Sequence, residues 1–257
     1  MNLDLPVAWQ FATMTDLARS VVGDAARWLT DDERKTQAAL RAADYRRQWT
    51  AGRVLAKRLM LEQGGLPARD ARAINITSRS AHGFGIRPRV TIDGDVVPCS
   101  LSISHTDGAV LAAFTTLSAI SVGVDLVERQ PFAPGFSRRW FTGSERELVA
   151  AGEDDELEIG RIWAMKEAIY KAACHDEPFA PRRIRLEPIA EGYTCVYRGL
   201  DLANRCRIQT WLCENYLCAE AVINGETSGC EPRPALTGGP VGTRRRADKD
   251  NGIRNNG

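Results

Sequence analysis

An α+β fold in two similar successive halves is what this sequence predicts. Three observations carry that expectation. Residues 29–65 read as helix, a second apolar stripe at helical spacing covers about 155–174, and each is followed by short strand-like segments bounded by turn residues. The first helical stretch opens on Thr30 and Glu33, a capping-box spacing, and Gly64-Gly65 is its natural stop. Strands are expected at 73–77, at 89–92 with the turn Asp93-Gly94, at 100–104 and at 109–115. Val122, Val124 and Leu126 then alternate as a half-buried strand requires and open the second half. Ser144 and Glu147 offer another capping-box spacing, for a short helix ending near Gly152. The longer helix follows, and strands are expected near 183–187, 193–198, 205–212 and 216–223. Each half is thus a long helix with a small, mostly antiparallel sheet. The boundaries fall at 1–119 and 120–228, and the similarity is one of architecture, without a visible repeat of residues.

Composition narrows the class of protein. The chain has 257 residues, a formal net charge of +1, 44% hydrophobic and 26% charged residues, as expected of a soluble globular protein. It has no run of about 18 uncharged apolar residues, which excludes a transmembrane helix. The first twenty residues lack a basic region followed by an apolar core, so no signal peptide is expected. Near-zero charge gives no reason to expect nucleic acid or a membrane as partner. Seven cysteines, an odd number without a CxxC pair, and three well-separated histidines argue against a disulfide scaffold or a zinc knuckle. Reduced thiols in a cytoplasmic protein are the plain expectation. The stretch 229–257, rich in Gly and Pro and carrying Arg244, Arg245 and Arg246, holds few large apolar residues and is expected to be disordered.

Three islands carry chemistry: SLSISHTDG (100–108), VGVDLVE (122–128) and RIWAMKEAIYKA (161–172). On the third, Lys166, Glu167 and Lys171 lie off the apolar stripe, with Glu167 and Lys171 stacked at i, i+4. Taken alone, that is an ordinary solvated face. Asp125, however, is a strand carboxylate, and a strand carboxylate with a helix carboxylate suits a hard cation such as magnesium, which takes few protein oxygens and bridges to substrate phosphates. Lysines beside it would neutralise phosphate oxygens. Ser104 and His105 stand at a strand end before the turn Thr106-Asp107-Gly108, where they either reach a phosphate or simply bond the turn. Arg46, Arg53 and Lys57 recur at i, i+7, i+11 on one helix face, and Gly52 beside them would let a ligand approach the backbone. Arg87 and Arg89 flank Pro88 in a stiff extended segment.

Together these islands resemble the 4′-phosphopantetheinyl transferases of the larger, surfactin-synthetase-activating type. The resemblance rests on Ser104-His105, on Gly123-Val124-Asp125 and on Trp163-Ala-Met-Lys166-Glu167-Ala168-Ile-Tyr-Lys171, in that order, and spans about 28–225. It implies two pseudo-symmetric α+β halves with coenzyme A in the cleft between them, in a monomeric, cytoplasmic chain. It implies that the hydroxyl of a serine on an apo acyl or peptidyl carrier protein attacks the β-phosphorus of coenzyme A, releasing adenosine 3′,5′-bisphosphate. Such a magnesium-dependent, holo-[acyl-carrier-protein]-synthase type enzyme serves fatty acid, polyketide or nonribosomal peptide biosynthesis.

By the same resemblance Asp125 and Glu167 are the magnesium ligands, and Glu167, or a water it holds, is the general base. Lys171 stabilises the pyrophosphate, with Lys166 in the same task. Ser104 and His105 bind a coenzyme A phosphate, and Arg53, Lys57 and Arg87 grip the 3′-phosphate and nucleotide end. Lys57 stands where arginine is common. Many members carry a second acid two residues after the strand Asp; here that position is Val127, and the acid comes one later, at Glu128. Strand alternation turns Glu128 away from Asp125, so a water is expected in place of a third protein ligand, with Glu128 a secondary candidate. Phe132, Phe136, Arg138, Arg139, Trp140 and Phe141 form a candidate docking strip for a carrier, with at least half of its aromatics expected to be core. The alternative is a non-catalytic relative that binds coenzyme A or a carrier protein without transfer.

Overall fold

Elements alternate along the chain in an order that repeats once. In the computed structural model, which describes residues 7–21, 25–63, 66, 68, 70–79, 85–173, 178–189 and 192–225, β1 (Ala8–Thr13) is followed by α1 (Met14–Val21), α2 (Ala25–Trp28), α3 (Asp31–Ala39) and α4 (Ala43–Gln63). A 3-10 turn then leads into β2 (Ile74–Arg79), β3 (Gly85–Ile92), β4 (Asp95–Val96), β5 (Ser100–His105) and β6 (Ala109–Thr115). The second pass runs β7 (Ile120–Glu128), α5 (Phe136–Trp140), α6 (Gly143–Ala151), α7 (Asp155–Ala173), a 3-10 turn, β8 (Ile184–Ile189), β9 (Gly192–Tyr197), β10 (Leu200–Asp201), β11 (Cys206–Cys213) and β12 (Tyr216–Asn224). The expected stop at Gly64-Gly65 and the tail 229–257, with its arginine cluster, lie outside the described residues.

The pairing repeats with the order. Sheets β1-β6-β5 and β11-β12-β7 correspond, as do β2-β3-β4 and β10-β9-β8, and every pair is antiparallel. All the expected strands are present, with ends shifted by a few residues. Strand β1 was not expected: AWQFAT has no clear alternation, and its pairing with β6, Phe11 opposite Leu111, is what makes it a strand. Another difference is a break at 40–42 that divides the first helical stretch. There Arg46 donates to the Leu40 carbonyl (2.6 Å), closing the end of α3.

Helix α4 packs on the first half and α7 on the second, each with its own apolar cluster, and a third cluster joins the halves through β6, β7 and β12. The described residues pack as one compact unit. Among them no helix is long and apolar enough to cross a membrane.

The same joint holds each helix start. Thr30 and Glu33 form the expected capping box on α3. On α6 the box is Thr142 with Glu145, not Ser144 with Glu147. Both registers are present in TGSERE, and the choice is tertiary. Glu145 is fully buried, where it also accepts from Leu186 N (2.9 Å) and pairs with Lys166 Nζ (2.6 Å). Glu33 does the same, accepting from Ile76 N (3.0 Å) and pairing with Lys57.

Where the halves meet, β5 and β7 lie side by side without a backbone ladder. The alternation in SLSIS puts three hydroxyls on one edge. Ser100 Oγ accepts from Val122 N (2.8 Å), Ser102 Oγ from Val124 N (3.0 Å), and Ser104 Oγ donates to Asp125 Oδ1 (2.6 Å).

Candidate active site

Asp125 lies two residues beyond Gly123, and that glycine decides what faces the carboxylate. A Cβ on Gly123 would stand 2.0 Å from the Ala168 carbonyl oxygen and 2.4 Å from Ala172 N, so α7 rests directly on the β7 backbone. Glu167 and Lys171, flanking Ala168 on that helix, are thereby brought over Asp125. Lys171 Nζ lies 2.6 Å from Asp125 Oδ1 and 3.9 Å from Glu167 Oε2, and it donates to Ser104 Oγ (3.0 Å) and to the Val124 carbonyl (3.1 Å). Ser104, His105, Asp125, Glu167 and Lys171 line one open cleft of about 520 Å3, together with Thr106, Asp107, Val127, Glu128 and Trp163.

The electrostatics are those of a site short of positive charge. Burial and the adjoining Asp125 carboxylate push Glu167 up to about 7, against the pull of Lys171 and of a hydrogen bond from Trp163. Burial pulls Lys171 down, but the two carboxylates outweigh it and hold the amine above its ordinary value. His105 is held below its ordinary value by burial and by the cations Lys171 and Arg53.

A divalent cation would remove the conflict between these two carboxylates. Magnesium takes one or two carboxylates, keeps waters and uses substrate phosphates for its remaining positions, so Asp125 and Glu167 fit it without a third protein ligand. Among the described residues no group of three His, Cys, Asp or Glu side chains is gathered closely enough to hold a metal. Glu128 also borders the cleft. It is the last residue of β7, opposite Tyr216, where the ladder ends.

Other expected ligand residues stand elsewhere. Lys57 and Lys166 are fully buried and do not reach the cleft. Lys57 is bound to Glu33 and the Trp28 carbonyl (2.6 Å), Lys166 to Glu145 and the carbonyls of Pro181 (2.9 Å) and Ile184 (2.8 Å). Burial lowers both amines below their ordinary value, against the pull of the paired glutamates. The charged face drawn through Arg46, Arg53 and Lys57 therefore points inward. Arg53 is 4% exposed, stacks over Trp49 at 4.5 Å, bonds Ser78 and lines a separate cavity of about 200 Å3. Arg87 bonds Ser100 and Ser121 (3.1 Å) at the far end of the serine row, about 13 Å along the strand from Ser104. Close approach at Gly52 is made by Ile103 and the His105 ring rather than by a ligand.

Of the aromatic strip, Phe141 is fully buried, while Phe132, Phe136 and Trp140 cluster against one another and Trp163. Arg138 and Arg139 of α5 are exposed. Sequence reasoning assigned no role to Gln48, Asp107 or Trp163. The first two gave no signal, whereas Trp163 stood in the motif one helical turn before Glu167.

Two carboxylates and a lysine thus meet between a strand and a helix, beside a Ser-His strand end. Residues 121–221, which supply Asp125, Glu167 and Lys171, match the model of the 4′-phosphopantetheinyl transferase superfamily. No curated protein matches the chain. Among solved structures, the holo-[acyl-carrier-protein] synthase of Thermotoga maritima is 18% identical with a TM-score of 0.36, over 41% of this chain and 64% of that one. The Neisseria meningitidis synthase is 19% identical with a TM-score of 0.34, over 40% and 97%. A coenzyme A complex described as Chronobacterium ammoniagenes ACPS is 20% identical with a TM-score of 0.35, over 42% and 98%.

Proposed function

We propose that this chain is a 4′-phosphopantetheinyl transferase of the larger, two-half type, moving phosphopantetheine from coenzyme A to a serine of an apo acyl or peptidyl carrier protein. The observation that carries this reading is the meeting of Asp125, Glu167 and Lys171 at one end of the cleft, within the segment that matches the superfamily. The carrier would belong to fatty acid, polyketide or nonribosomal peptide biosynthesis. Both walls of the cleft, β5 and β7, come from this chain, which supports action as a monomer. The described cysteines Cys99, Cys195, Cys206, Cys213 and Cys218 are free, in keeping with the cytoplasm.

Bound magnesium, held by Asp125 and Glu167, would supply charge neutralisation for the pyrophosphate. Lys171, now on Asp125, is placed to donate to a phosphate oxygen and to stabilise the charge released on the leaving adenosine 3′,5′-bisphosphate. Glu167, or a water it holds, takes the proton of the attacking serine. Ser104 keeps Asp125 oriented, and His105 meets a coenzyme A phosphate. Arg87, on the far stretch of the serine row, is left for the nucleotide end. Lys57, Lys166 and Arg53 serve the fold around the site. Exposed Arg138 and Arg139, beside the aromatic cluster that ends at Trp163, are where an acidic carrier helix would dock.

The test is to incubate the chain with an apo carrier protein, coenzyme A and magnesium and to weigh the carrier. A gain of one phosphopantetheine, abolished by a chelator, is expected. No gain with several carriers, but measurable coenzyme A binding, would point to the binding-only alternative or to a carrier outside those tried.

A further inference from the structure

His105 ends β5 with its ring enclosed by one face of α4. Tyr45, Gln48 and Gly52 recur there at i, i+3 and i+7. Tyr45 meets the ring edge-on, centroids 5.9 Å apart, and a Cβ on Gly52 would stand 3.9 Å from His105 Cδ2. Gln48 Oε1 lies 3.0 Å from His105 Nδ1, while the nitrogen of the same amide donates to Asp107, two residues past the histidine. This pair of contacts dictates the proton positions. A carboxylate only accepts, so the amide nitrogen faces Asp107 and the amide oxygen faces the ring. That oxygen also only accepts, so Nδ1 carries a hydrogen and Nε2 is the nitrogen left for a ligand in the cleft.

Resting on the transfer reading above, we infer that Gln48 is a positioning residue for coenzyme A. Braced by Asp107, its amide holds the His105 proton on Nδ1 and leaves Nε2 to meet a phosphate of the substrate. A free neutral imidazole prefers its proton on Nε2, so the amide works against the intrinsic preference of the ring. Burial and the Lys171 and Arg53 cations keep that ring neutral at pH 8.

The experiment is a long-range proton–nitrogen NMR spectrum of the full chain at pH 8, labelled with 15N-histidine. The sequence has three imidazoles, and His105→Ala identifies the relevant one. The wild-type ring is expected to be protonated on Nδ1. In Gln48→Leu the proton is expected to move to Nε2, and the KM for coenzyme A to rise about tenfold, the loss of one hydrogen bond to a charged group, with kcat little changed. The double variant Gln48→Glu, Asp107→Asn, in which the carboxylate accepts both from Nδ1 and from the new amide, is expected to keep that nitrogen protonated and KM near the wild-type value. A wild-type ring protonated on Nε2, a Gln48→Leu spectrum identical to wild type, or an altered tautomer without a rise in KM would overturn the assignment. Should Gln48→Leu fail to fold, the wild-type spectrum and the double variant still decide it. Should the wild-type chain modify no carrier, the transfer reading fails instead, and the same spectra with coenzyme A affinity from calorimetry judge Gln48 separately.

Discussion

Glu167 shares its end of the cleft with one carboxylate and one ammonium, and each neighbour makes a different demand of it. An amide in its place neither neutralises a cation nor takes a proton. Glu167→Gln is expected to keep the thermal unfolding profile of wild type and to lower kcat by at least about 100-fold, the contribution of a positioned acid–base group. Carrier mass spectrometry measures the rate, and normal turnover would sink the assignment. His105→Ala belongs to the same scale and should weaken coenzyme A binding more than it lowers melting temperature; unchanged affinity would leave the ring a structural role only. Glu220 offers a test of pH dependence away from the site. Burial raises its carboxyl above the ordinary value despite Arg207 at 3.1 Å, and its Oε2 has no hydrogen-bond partner in the structure. The folded state therefore disfavours the charged form. Its cost is absent below the unfolded value of about 4.3 and grows as pH rises through the folded value. Glu220→Gln should raise the melting temperature at pH 7 and lose that advantage by about pH 4, where wild type is protonated.

The elements are joined by a device used twice. In each half a glutamate caps a short helix, accepts from the third residue of a strand and holds a lysine from the long helix. Removing one partner of a fully buried pair strands the other charge, so Lys166→Met should cost about 3–5 kcal/mol in urea unfolding, with the double variant Lys166→Met, Glu145→Gln recovering part of it. Equal losses in the single and double variants would refute the pairing. Lys57 and Lys166 looked like phosphate ligands because a lysine on a charged helix carries the same letter whether it faces water or a buried glutamate. The break between α3 and α4 was hidden for a related reason. It rests on Arg46 reaching back to Leu40, with no glycine or proline to mark it.

At the scale of the molecule, the active cleft is a seam. Its walls are held together by the Ser100, Ser102 and Ser104 hydroxyls, and its chemistry is held in place by α7 lying on Gly123. Gly123→Ala inserts a methyl group into helix backbone and should destabilise by about 3 kcal/mol or more while misplacing Glu167 and Lys171. Activity lost faster than stability, at a temperature where the variant is folded, would show that misplacement. Ser102→Ala leaves the buried Val124 N–H without its acceptor and should cost about 1–3 kcal/mol. A loss much smaller than that would mean the seam is held by apolar packing alone.

Local pattern was enough for the α+β class, the long helices and nearly all the strands, while the grouping of Ser104, His105, Asp125, Glu167 and Lys171 came from the resemblance that the three motifs carry together. Periodicity, capping residues and turn residues are written within a few positions of the elements they specify, and the three motifs lie on those elements. The strand β1, the register of the α6 capping box, the inward turn of Lys57 and Lys166, and the link from Gln48 to His105 and Asp107 were decided only by the tertiary structure. Each depends on a partner 21 to 106 residues away, as Lys166 does on Glu145 or β1 on β6. Burial, which turns a solvated charge into a paired one, is set by the packing of whole elements and leaves no mark on the neighbouring residues.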